Sequence, residues 1–372
     1  MTTILEINDI AELKPWRADW RRLLESTPEA DFFRTLDWLE VYWRHFGEDQ
    51  NLRVLLMLED DELVGVLPLT ERTERTKAGP FRVLTYPLQD WGALYGPVGS
   101  DVGRILHAGL RHVADTHREW DIVELRWVDA EEKNAELTER ALREAGLPPA
   151  PAMSHTLIPR ADLRDGWESY WSGRSSNWRS NCRRNEKKVH NLGDVEHISY
   201  RPRGKDQGED DPRWDLYDAC EAIAAKSWQA DSQDGVTISH PRVRPFMRDL
   251  HVAAAGAGCL EMNLLRVAGR PVAFNYNYVF QGRCSNLRLG YDPELRNQGV
   301  GTVLTYLTLR KCFERGDWLF DFLPGALDAK RPWQTAIAHS NRYTHYPASL
   351  GRHQLLRMKR WFNRRFSETV SP

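Results

Sequence analysis

The hydrophobic positions of this chain change period several times, and each change predicts an element. Over 15–25 and 35–46 they recur at three and four. In the second segment Trp38, Leu39, Tyr42, Trp43 and Phe46 follow Thr35, a residue type that caps helices. Two strand-like runs come next, 52–58 and 62–69, joined by the acidic turn Glu59-Asp60-Asp61. Short extended pieces lie between Gly79-Pro80 and Gly96-Pro97. A helix over 103–118, a strand over 121–128 and a helix over 131–145 follow. Leu147-Pro148-Pro149-Ala150-Pro151 reads as a linker, which sets domains of 1–150 and 151–372.

The second half runs through the same order. A basic helix over 172–191 leads to a strand over 195–201, a polar loop over 202–212, and helices over 213–228 and 241–256. Strands over 259–268 and 271–281 form a hairpin through Ala268-Gly269-Arg270-Pro271. A strand over 283–290, a loop over 292–299, a helix over 299–315 and a strand over 318–322 complete it. The halves share predicted order without evident sequence identity. The class expected is α+β.

Length and composition add limits. A chain of 372 residues with 41% hydrophobic and 28% charged positions suits two ordinary globular domains. Fifteen tryptophans suit half-open clefts as well as cores, and core filling accounts for most of them. A net charge of −2 gives no strong nucleic-acid signal, so any affinity for polyanions must come from local patches. Five scattered cysteines without a Cys-x-x-Cys pair fit a reducing compartment, with neither zinc nor disulfides expected. The N-terminus has no basic stretch followed by an apolar run, and no stretch approaches 18 apolar residues. A cytoplasmic protein is expected, with no metal.

The informative stretch runs from Cys284 to Gly301: strand, turn, then a helix with two glycines in its first turn. Val300, Val303, Leu304 and Leu307 form that helix's apolar face. First-turn N–H groups lack intrahelical acceptors, and the helix dipole adds positive potential there. Gly299 and Gly301 would let a pyrophosphate approach the backbone, with Arg296 adding a charged contact. Such glycines also mark plain strand-to-helix turns, so the neighbouring strands carry part of this reading.

The loop Arg296-Asn297-Gln298-Gly299-Val300-Gly301 resembles the acyl-CoA pyrophosphate loop of the GNAT superfamily. More narrowly, the chain is similar to CelD/BcsL-type acetyltransferases of cellulose and exopolysaccharide production, relatives of the FemAB aminoacyl transferases. That similarity takes in Asp37-Trp38-Leu39, Trp43 and Phe46-Gly47. It continues through Trp178-Arg179-Ser180-Asn181-Cys182-Arg183-Arg184 and Gly290-Tyr291-Asp292-Pro293. It ends with Asp321-Phe322-Leu323-Pro324-Gly325, Lys330 and Trp333. The resemblance implies tandem GNAT domains, mixed central sheets flanked by helices, with acetyl-CoA or another acyl-CoA as cosubstrate in the second domain. The first domain lacks the loop and is expected to be degenerate for CoA. The function implied is N- or O-acyl transfer to a sugar, sugar nucleotide or exopolysaccharide precursor. A Fem-like transfer from aminoacyl-tRNA and a non-catalytic role in a polysaccharide-synthesis complex are the alternatives.

In that fold the strands flanking the loop and its helix part around the thioester. Backbone at Leu289, Gly290 and Tyr291 would face the donor, alongside residues 296–301. Asp321 would then lie near the reacting carbon as base or substrate orienter, or as a strand-end carboxylate that holds the loop. Lys330 would stabilise an oxyanion, unless it is a plain surface lysine. Asn275 and Arg288 are candidate acceptor contacts, as are Trp178, Arg179, Arg183 and Trp333. Arg179, Arg183 and Lys187 fall at steps of four and form a positive stripe, suited to a phosphorylated acceptor or to the 3′-phosphate of CoA. A last helix over 350–366 mixes Leu355, Leu356, Met358, Trp361, Phe362 and Phe366 with Arg352, Arg357, Lys359, Arg360, Arg364 and Arg365. It would suit peripheral contact with the inner membrane face, or simple docking on the fold.

Overall fold

The computed structural model describes residues 2–76, 79–89, 91–116, 120–227, 237–347, 351 and 354–359. Two compact units emerge. The first draws on 1–28, 42–156 and 339–372, the second on 29–41 and 157–338. In chain order the elements are β1 (Thr2–Ile7), α1 (Arg17–Glu25), α2 (Leu36–Phe46), β2 (Gln50–Glu59), β3 (Glu62–Thr76), β4 (Gly79–Thr85), α3 (Val102–Asp115), β5 (Ile122–Asp129) and α4 (Glu132–Glu144). Next come β6 (Met153–Asp162), α5 (Gly166–Ser172), α6 (Ser176–His190), β7 (Val195–Tyr200), α7 (Trp214–Lys226) and α8 (Arg244–Gly256). Last are β8 (Leu260–Val267), β9 (Arg270–Phe280), β10 (Arg283–Tyr291), α9 (Val300–Arg315), β11 (Leu319–Asp321), α10 (Leu327–Lys330) and β12 (Ala336–His345).

The expected mixed α+β class is what the structure shows, and the repeat of order is a repeat of topology. In the first unit the strand order is β1-β2-β3-β4-β5-β12; in the second it is β7-β8-β9-β10-β11-β6. Each sheet is antiparallel except at one step, β4 to β5 and β10 to β11. A parallel step requires a crossover, and α3 and α9 supply it. Mixed sheets with flanking helices follow in both units.

Continuous apolar runs in β2 and β3 reflect strands covered on both faces. Three strands were not foreseen. β1 is a short edge strand, while β6 and β12 are rich in polar residues, and β6 also contains Pro159. Their positions are set by pairing: β6 joins β11 through Arg160–Asp162, and β12 joins β5 through Ser340–His345. The segment at 147–151 is tied down too, since Ala150 N donates to Thr344 O. The basic helix starts later than periodicity suggested. Ser175 accepts from Trp178 N and caps α6, separating it from α5.

At the C-terminus, residues 354–359 are helical. Leu356 packs with Phe81, Val83 and Ile122, whereas Leu355 and Met358 are exposed. Arg352 and the 360–366 part of the expected amphipathic helix lie outside the described residues.

Candidate active site

The second unit's sheet opens where its parallel pair ends. β10 and β11 pair through Arg283/Leu319, Cys284/Phe320 and Ser285/Asp321, while β10 runs on to Tyr291 against β9. A register shift between Asn286 and Arg288 bends the strand at that point. The two faces therefore carry different chemistry. Asn286 and Asn277 are cross-strand partners and hydrogen bond at 2.8 Å, and Asn286 also donates to Asn275. Arg288 pairs with Tyr276, the strand neighbour of Asn275, and so projects from the opposite face. Asn275 and Arg288, candidates for one acceptor surface, are thus separated by the sheet.

On the Asn275 face a buried polar row crosses the sheet beneath α9. His197, Asn263, Glu261, Asn277, Asn286 and Asn275 are joined in sequence by hydrogen bonds. Burial alone would push the Glu261 carboxyl up, but Arg201 and Arg315 outweigh it and hold it below its ordinary value. Cys284 and Cys312 approach Glu261, with all three potential ligand atoms within 4.8 Å of one another. The set does not suit a divalent cation. Glu261 is already paired with two guanidinium groups, and both thiols are pushed up, Cys284 by burial and Cys312 by its hydrogen bond with Cys284 and by burial. A cysteine ligand must be a thiolate.

On the other face the charges are paired. Asp321 is fully buried and accepts from Arg283 Nη2 at 2.9 Å, Arg160 Nε at 3.3 Å and Leu323 N at 2.9 Å. Glu29 lies 3.6 Å from Arg160 and 3.8 Å from Arg283. Asp31 joins the cluster, and burial pushes its carboxyl up against the pull of Arg283 and Arg34. The segment carrying Glu29 and Asp31 is fixed by aromatic packing, with Phe32 4.5 Å and Phe33 5.7 Å from the Tyr278 ring. These residues were not candidates, because their relation to Asp321 spans nearly 300 positions of sequence.

Lys330 stands at the end of α10, and its Nζ donates to Leu323 O and Pro324 O, both at 2.9 Å. Burial pulls its ammonium down to about 8; Asp321 opposes the shift and Arg288 adds to it. Leu323 and Ala326 hold positive φ, +54° and +48°, and so fold this loop tightly. Lys330, Asp321 and Arg288 are therefore neighbours. Trp333 is buried, its ring 5.1 Å from that of Trp178, and its carbonyl accepts from Tyr170 at 2.6 Å. That pair is part of an apolar cluster with Cys182 and Phe322.

The loop at 293–301 holds a 3-10 turn, Pro293–Gln298, then α9. Asp292 fixes its start by accepting from Glu294 N at 3.0 Å. Gly299 caps α9 at φ +76° with no side-chain hydrogen bond to the helix, and the first α9 bond is Val303 N to Gly299 O. A β-carbon at 299 would lie 2.4 Å from Asn185 Cγ, and one at 301 would lie 3.1 Å from the Tyr291 ring. Glycine is thus required at 299 by backbone conformation and by the closeness of α6, and not by ligand access alone. Lys188 Nζ, one turn beyond Asn185, donates to Asn297 O at 3.1 Å. Arg296 and Arg183 are exposed. Arg179 instead closes α5, donating to Ser172 O at 2.6 Å.

The equivalent helix of the first unit is built differently. Asp101 caps α3, and its carboxylate accepts from Arg104 N at 3.1 Å. A carboxylate there occupies the place an anion would take.

Residues 176–331 match the family model of the acetyltransferase (GNAT) domain. The chain carries a GNAT-type domain and is a transferase. No curated protein sequence matches it. Among solved structures it is similar to FemX, with a TM-score of 0.61 at 10% identity over 92% of this chain and 97% of that one. A conserved protein of unknown function from Bacteroides thetaiotaomicron VPI-5482 gives 0.58 at 15% identity, covering 93% and 100%. The C-terminal domain of a putative lysylphosphatidylglycerol synthetase from Agrobacterium fabrum gives 0.52 at 11%, covering 94% and 95%. At these identities the likeness is one of fold. No helix among the described residues is long and apolar enough to cross a membrane.

Proposed function

We propose that this GNAT-type transferase uses an acyl-CoA donor, acetyl-CoA by preference, and acts on a sugar, sugar nucleotide or exopolysaccharide precursor. One observation carries the donor assignment: the α9 N-terminus, with no side-chain cap, lies against Leu289 and Tyr291, in the stretch of β10 beyond its pairing with β11. Free N–H groups, the helix dipole, Arg296 and Lys188 together favour a diphosphate. The first unit, with Asp101 at the corresponding helix, holds no donor on this reading.

Transfer forms a bond from the acceptor nitrogen or oxygen to the acyl carbon and breaks the carbon–sulfur bond. The acceptor proton must leave, charge on the carbonyl oxygen must be compensated, and the thiolate must take a proton. Lys330, still largely protonated at neutral pH, is suited to compensating that charge. Asp321 is committed to Arg283 and Arg160, and its role here is to orient the loop that carries Lys330. Arg288 beside Lys330 favours an anionic acceptor, such as a sugar nucleotide. The test of the donor reading is calorimetry with acetyl-CoA.

The exposed basic residues of α6 favour a second reading, transfer from aminoacyl-tRNA. Salt-sensitive binding of charged tRNA by a protein that ignores acetyl-CoA would establish it. CoA binding without turnover on any acceptor would instead fit a non-catalytic partner in polysaccharide synthesis.

A further inference from the structure

Helix α6 brings one side chain to the donor loop that no motif marks. Asn185 is 8% exposed, yet its amide makes no side-chain hydrogen bond among the described residues. Although the residue is largely covered, neither amide atom is sealed from solvent, so both can reach a ligand as a hydrogen-bond partner. Its place is defined by Gly299: the side-chain Cγ, Nδ2 and Cβ lie 2.4, 2.6 and 2.8 Å from where a β-carbon at 299 would be. The amide therefore lies against the cap of a sixteen-residue helix whose N-cap, Gly299, offers its first N–H groups no side-chain hydrogen bond. Three residues on, Lys188 binds Asn297 O, which takes that carbonyl as an acceptor and leaves a positive charge at the loop. Val189, on the buried side of α6, packs with Val300, Val303 and Leu304 of α9 and holds the two helices together.

We infer that Asn185 is a ligand-binding residue whose amide donates to a phosphate oxygen of the donor's diphosphate, opposite the α9 N–H groups. The inference rests on the acyl-CoA reading and deepens it. The anion site then has two walls, α9 backbone on one side and α6 side chains on the other. The α6 wall explains why this helix is held so close to the loop that residue 299 must lack a β-carbon. An amide is suited to the position because it donates two hydrogen bonds without adding a charge that would clash with Lys188.

The test is calorimetric titration with CoA of the wild-type chain, Asn185→Ala and Asn185→Asp, each shown folded by circular dichroism and thermal unfolding. Loss of one hydrogen bond to a charged group should weaken CoA binding about tenfold or more in Asn185→Ala. Asn185→Asp should be weaker still, and its deficit should shrink as salt rises, because like charges are screened. A purely structural role would give neither the order nor the salt dependence. Wild-type binding matched by both variants, or lost equally in both at every salt concentration, overturns the role of Asn185 and leaves the donor reading intact. Failure of the wild-type protein to bind CoA overturns both.

Discussion

The Asn185 side chain fills the space that a β-carbon on Gly299 would occupy, with Cγ 2.4 Å from that position. The relationship makes the glycine a packing requirement of this fold as well as a conformational one. Gly299→Ala must bear a left-handed φ of +76° and an overlap with α6. We expect a loss of roughly 2 kcal/mol or more in urea unfolding. Combining it with Asn185→Ala should return part of that loss, since the overlap but not the backbone strain is removed.

Asp321 is the centre of a buried ion network, not an isolated base. Asp321→Asn leaves Arg283 and Arg160 short of a counter-charge, and we expect a cost of about 3 kcal/mol by denaturant unfolding. A stable variant that has lost turnover would instead point to a direct catalytic part for the carboxylate.

Lys330 should leave a signature in the pH dependence of stability. Its folded value of about 8 lies below the ordinary 10.5, so between those values the unfolded chain holds more protons than the folded one. Stability therefore rises with pH over that window, and the cost of burying the charge is present in full below about 8. The slope should vanish in Lys330→Met, measured by urea unfolding at pH values on either side of the window. Transfer activity should run the other way and fall above about pH 8, as the positive charge is lost.

Much of this arrangement was legible in the chain before any coordinates. Period-3.6 and strand-like segments located α2, α7, α9 and the β8–β9–β10 run, because those elements bury continuous apolar surface. The turn at 299–301 was legible for a local reason: glycine at a helix start signals backbone that a bulkier residue cannot adopt. What sequence spacing could not show were relations made by pairing. β6 and β12 have no apolar rhythm and are strands through their partners β11 and β5. Asp31 and Asp321 approach only when the chain has folded. Asn185 sits in a stretch dominated by basic residues, and its signal was its inward position at seven residues from Trp178 on the α6 face. The contact of Arg179 with the end of α5 was equally hidden from sequence spacing.

The two units differ in what caps their crossover helices, and the difference is measurable. Asp101→Ala should cost about 1 kcal/mol through loss of the α3 cap. It should not create a second CoA site, since the first unit lacks the Gly-Val-Gly turn at 299–301. Calorimetric stoichiometry for the wild type and the variant checks this.

The central claim is that the uncapped start of α9 binds the diphosphate of an acyl-CoA. Isothermal titration of the full chain with acetyl-CoA tests it most directly. Saturable binding at one site per chain is expected, weakened by Asn185→Asp in a salt-dependent way. Absence of binding at high micromolar acetyl-CoA, from a protein that melts cooperatively, would contradict it.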